Sequence, residues 1–131
     1  MDFDKLIEDY KSPETFDVTL PGGEVLTFKG IPTHSALVRF NQAMATFVKS
    51  IKLTSALDEW KPFSPITADT AGKIYTIAEL SVEPKISQLE AAKLAHGAPF
   101  LFETLYDGVE RNRSVVFQKQ AQELAEAGKD E

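Results

Sequence analysis

The chain has 131 residues, 43% of them apolar and 26% charged, with a formal net charge of −6 and no cysteine. A single domain of this length buries roughly two thirds of its unfolded surface, and the composition excludes wholesale disorder. Disulfides and thiolate zinc sites are excluded by the missing cysteine, and the acidic balance argues against a protein built to grip phosphate backbones.

The N-terminus "MDFDKLIEDY" places Phe3, Leu6, Ile7 and Tyr10 at i, i+3, i+4 and i+7, with Asp2 available as a cap. A short amphipathic helix over residues 2 to 11 follows from that spacing, ended by Ser12-Pro13. The period then changes to two, with Phe16, Val18 and Leu20 on one side of "TFDVTL" and Leu26 and Phe28 on one side of "EVLTFK". The three-residue turn signal "PGG" between them predicts a β-hairpin over residues 15 to 29. An isolated hairpin is marginal in water, so a helix must cover its apolar face.

The next segment, "ALVRFNQAMATFVKSIK", supplies one: Leu37, Phe40, Met44, Phe47, Val48 and Ile51 form a stripe about 100° wide, and either Thr33 or Ser35 can cap it. The proline-bearing stretch "LTSALDEWKPFSPITADT" reads as a loop with at most one helical turn after Ser55. Helix resumes near Asp69 with Ile74, Ile77 and Ala78 aligned, and stops before Pro84.

Ser87 and Glu90 in "SQLE" form a capping box, after which Leu89 and Ala92 face inward and Gly97 sits where a C-cap residue belongs. Pro99 suits the first position of another helix, with Phe102, Leu105, Tyr106 and Val109 on one face. A last helix from Ser114 carries Val116, Phe117, Ala121 and Leu124, and residues 126–131 are expected to fray. The expected fold is therefore mainly α with a small N-terminal hairpin, an α+β domain of about five to six helices spanning 1–131 as one unit.

The chemistry-bearing residue types do not assemble into a site along the sequence. His34 and His96 lie far apart and neither has a second ligand at i+3 or i+4, so no metal clamp is formed. His96, just before Gly97, fits a helix C-terminus instead. Adjacent carboxylates such as Glu8-Asp9 and Asp58-Glu59 diverge around a helix and do not make an acid/base pair. There is no GxSxG elbow or phosphate loop, so neither enzymatic activity nor a cofactor is expected. The longest apolar runs are a few residues, far below the ~20 that span a bilayer, and the acidic N-terminus is unlike an export signal. A cytoplasmic location follows as the default. The apolar residues without an obvious core place are Trp60 and Phe63 in the proline-bearing loop and Phe100, opposite the stripe of Phe102, Leu105 and Tyr106. Aromatic residues at exposed positions are the usual anchors of protein interfaces.

The order of elements is informative: an acidic N-terminal turn, the hairpin "VTLPGGEVLTFKGIP", a long amphipathic helix, then "VEPKIS" leading into "LEAAKLAHGAPFLFETLYDGVERNRS". Over residues 14 to 115 this resembles the tail assembly chaperones of long-tailed bacteriophages. The resemblance implies a non-enzymatic helper that binds the tape-measure protein, keeps it in solution and helps recruit tail-tube subunits. It also implies self-association, a place in the host cytoplasm and absence from the mature virion. In many such phages a programmed frameshift near the end of the gene adds a second domain, and "AGKDE" is compatible with one. On this reading Trp60, Phe63, Phe100 and Phe117 contribute to partner-binding or self-association surfaces. Alternatives are a small phage connector or tail-completion protein, or an acidic protein-binding regulator.

Overall fold

The computed structural model describes residues 1–10 and 13–113. The element order is α1 (Phe3–Tyr10), β1 (Thr15–Thr19), β2 (Val25–Lys29), α2 (His34–Ser55), a 3-10 turn (Lys61–Phe63), α3 (Ala68–Leu80), β3 (Ser81–Glu83), α4 (Gln88–Gly97) and α5 (Pro99–Asn112). This is the expected α+β arrangement, with one strand that the sequence did not announce. The predicted last helix from Ser114, and Phe117 with it, lie outside the described residues.

Asp2 starts α1 as expected, its Oδ1 accepting from the backbone N–H of Asp4 at 3.1 Å and of Lys5 at 3.3 Å. The hairpin pairs Phe16 with Phe28 and Val18 with Leu26, so the alternating residues meet on one face and the two Phe rings stack with centroids 6.0 Å apart. Its turn is a three-residue loop: Gly23 N–H donates to Leu20 C=O at 2.9 Å and Leu20 N–H to Glu24 C=O at 2.8 Å. Gly23 has φ +94°, the left-handed position that this loop type assigns to glycine. The unannounced strand, β3, pairs antiparallel with the other edge of β2, giving a sheet in the order β1-β2-β3.

Thr33 is the cap of α2, its Oγ1 accepting from Ala36 N–H at 3.1 Å. Phe40, Phe47 and Ile51 of the predicted stripe are buried, and Met44 and Val48 are partly buried against the same core. The helix runs to Ser55, three residues past the amphipathic segment. The chain then folds back through a turn in which Trp60 N–H donates to Leu57 C=O at 2.9 Å. Next, α3 begins at Thr67, whose Oγ1 accepts from Thr70 N–H at 3.1 Å. It is the central helix: Ala71, Ile74, Tyr75, Thr76, Ile77, Ala78 and Leu80 are all buried, because α2, α4 and α5 all pack on it.

The junction between α3 and β3 turns on Ser81, which is buried. Its Oγ donates to Ala78 C=O at 2.8 Å and accepts from Ile86 N–H at 2.8 Å, tying the end of α3 to the approach of α4. Ser81→Ala leaves the Ile86 N–H without that acceptor, and a part-buried donor so orphaned costs about 1–3 kcal/mol. A urea melt should show the midpoint falling with an unchanged slope.

The capping box forms as expected: Glu90 N–H donates to Ser87 Oγ at 3.0 Å and Ser87 N–H to Glu90 Oε1 at 3.0 Å. The Ser87 N–H is the main reason that the Glu90 carboxyl titrates below its ordinary value. One expectation is corrected. Gly97 is the last residue of α4 rather than a left-handed cap, and the C-cap is Ala98, with φ −142° and ψ 64°. Ala98 also caps the start of α5, where Pro99 opens the helix. A single residue therefore joins two helices, and its extended φ makes the sharp turn without glycine.

Candidate interaction surface

The most exposed aromatic side chain among the described residues stands on the α4–α5 pair. In α5 the residues Phe102, Leu105 and Val109 are buried, so the helical period of about 100° per residue carries position 100 to the opposite side. Phe100 is 89% exposed. It lines an open, shallow groove of about 650 Å³ with Pro99, Glu103, Thr104 and Asp107. Thr104 Oγ1 donates to Phe100 C=O at 2.9 Å, which occupies a carbonyl of the first turn.

The groove is held in place from below. Lys73 of α3 donates to Glu103 Oε2 at 2.8 Å and pairs with Asp69 at 3.1 Å, while its ammonium lies 5.3 Å from the centre of the Tyr106 ring. The Glu103 hydrogen bond is the largest reason that Lys73 titrates above the usual lysine range, opposed by partial burial. Burial likewise pushes the Tyr106 phenol up. Exposed ion pairs of this kind contribute about 1 kcal/mol or less, so their effect is to fix the register of α5 on α3. Asp107 pairs with Arg111 at 2.8 Å.

The four aromatic residues singled out from the sequence do not share one surface. Trp60 is 7% exposed and packs against Phe47 with ring centroids 6.5 Å apart. The folded chain thus holds it in the core, because the turn after α2 returns it to that helix. Phe63 is half-buried and meets the edge of the His96 ring at 5.6 Å, beside a cavity of about 240 Å³ between the 3-10 turn, α3 and α4. His96 lies in the last turn of α4. Phe100 alone among the described three stands in solvent, and Phe117 lies outside the described residues.

Among the exposed apolar residues that sequence reasoning passed over are two leucines near the end of α2. Leu53, 80% exposed, lies in the last turn of α2, and exposed Leu57 follows just beyond its C-cap, Ala56. The signal was present, since Leu53 comes two positions after buried Ile51 and is turned about 200° from it around the helix. Among the described residues no group of three or more His, Cys, Asp or Glu is placed to hold a metal ion. None of their helices is long and apolar enough to cross a membrane.

No family model, curated protein or solved structure matches this chain.

Proposed function

We propose that this protein is a tail assembly chaperone of a long-tailed bacteriophage, a non-enzymatic helper in the host cytoplasm. It binds the helical tape-measure protein, keeps it from aggregating and helps recruit tail-tube subunits. The client's identity comes from the resemblance of residues 14 to 115 to that family. The observation that carries the binding role is Phe100, an aromatic ring 89% exposed at the start of a well-anchored helix. A ring fixed on a helix loses little freedom on association, and a shallow groove beside it suits the apolar stripe of another helix.

Co-expression with the tape-measure protein of the same phage tests the reading. The wild-type chain should co-purify with it and raise its recovery in the supernatant. Phe100→Asp should lower recovery about tenfold, a loss near 1.4 kcal/mol, with an unchanged far-UV circular dichroism spectrum. If the wild-type chain neither binds nor protects the tape-measure protein, the function is wrong. If it binds and Phe100→Asp binds equally well, the site is wrong.

A further inference from the structure

The geometry points to a small-molecule site in the groove where α2 and α3 meet the end of β2: it takes a carboxylic acid with a flat apolar body, its carboxylate facing Tyr75 and Arg39. This inference does not rest on the tail-assembly reading.

The groove has a volume of about 330 Å³, floored by Ile31, Phe40, Tyr75 and Leu80 and edged by Lys29 and Arg39. That is the small end of the roughly 300–1,000 Å³ of ligand sites, whose usual make-up is an apolar floor with a few polar groups. Tyr75 is the unusual member. It is only 9% exposed, with the rings of Phe40 and Phe47 at 5.4 and 5.9 Å from its own. Its hydroxyl makes no hydrogen bond among the described residues, yet the oxygen is not sealed off, and the groove is where it opens. Burial foremost, and then the charge of Glu79, raises the phenol above its ordinary value. It therefore keeps its proton at neutral pH and is a standing donor with no acceptor in place.

Charge selects an anion. Lys29 and Glu79 pair at 3.8 Å and largely offset each other, whereas Arg39 makes no ion pair or hydrogen bond among the described residues. Two cations thus face one carboxylate around the groove. Arg39 immediately precedes Phe40, whose ring packs on Tyr75, so the guanidinium and the phenol rise from the same wall. A ligand carboxylate accepts from the phenol and gives the guanidinium a charge-assisted partner, while a flat apolar body covers the floor. The apolar stripe of a docked helix does neither, because it would cover the phenol and leave its O–H unpaired.

Phenylacetate and its neutral isostere phenylacetamide, titrated into the full chain and followed by amide correlation spectra, test this. Phenylacetate should shift Ala36, Phe40 and Leu80 with a Kd of about 1 mM or tighter. Phenylacetamide should bind about tenfold more weakly, having lost the charge that Arg39 meets. Tyr75→Phe keeps the ring and Arg39→Gln lies at an exposed position, so both variants should fold, and each should weaken phenylacetate by about threefold to tenfold. No saturable shift, shifts confined to another part of the fold, equal binding of acid and amide, or variants that bind like the wild type would each overturn the proposal. Overhauser contacts from Phe3 or Ile7 to the Phe40 ring in the free chain would show the groove already filled by α1 and overturn it too.

Discussion

Phe102→Ala should destabilise the domain by about 3–5 kcal/mol, the range for truncating a fully buried phenylalanine. Phe102 is among the largest side chains that are wholly enclosed, on a helix that packs on α3, α4 and β1 at once. Because three elements converge there, the walls cannot collapse together without disturbing one another, and the upper part of the range applies. Against a typical stability of about 5–15 kcal/mol, the loss is a large fraction. Calorimetry should show the melting temperature falling by roughly 10 °C or more. Phe100→Ala is the internal control. It removes the same atoms two residues earlier on the same helix, at an exposed position, and should change stability by about 0.5 kcal/mol at most. Equal effects at the two positions would mean that α5 is rotated from the orientation described.

Gly108→Val should be nearly as damaging, for the opposite reason. A Cβ at position 108 meets Val18 Cγ1 at 2.7 Å, closer than carbon atoms approach. Val18 is buried on β1, and its short β-branched side chain has little rotamer freedom with which to retreat. Replacing a mid-helix glycine gains up to about 1 kcal/mol of helix propensity, while overpacking costs about 1–3 kcal/mol and sometimes more. The clash wins, and the two added methyl groups of valine put the net loss near 2–3 kcal/mol. Adding Val18→Ala clears the space, so Gly108→Ala should cost less in that background than alone. A double-mutant cycle should show favourable coupling of about 0.5–3 kcal/mol. Independent, additive effects would contradict the contact between β1 and α5.

The elements legible in the sequence were those whose cause is local. The hairpin followed from a period of two around "PGG", the stripe of α2 from its helical spacing, and the start of α4 from the Ser87–Glu90 box, all of which involve residues within a few positions of one another. What escaped was set by contacts distant along the chain. Ser81-Val82-Glu83 is too short to alternate, and only the free edge of β2 makes it a strand. Trp60 reads as a loop residue until Phe47, a turn and a half-helix earlier, is brought against it. Gly97 looked like a cap because a glycine between two helices usually is one, yet Ala98 makes the bend with an extended φ. The exposure of Phe100 was legible from the α5 wheel; whether Phe63 faced solvent depended on α4 supplying His96.

The approach of Val18 to Gly108 also bears on biosynthesis. These positions lie about 90 residues apart, so at roughly 5–20 residues per second the hairpin emerges from the ribosome several seconds before its covering helix exists. During that interval the Phe16–Phe28 face lacks that cover, because α2, the helix expected from the sequence to shelter the hairpin, packs on α3 instead, and it is α5 that packs on β1. Final consolidation of this domain is thus a late event, waiting for the last helix of the described chain to be translated.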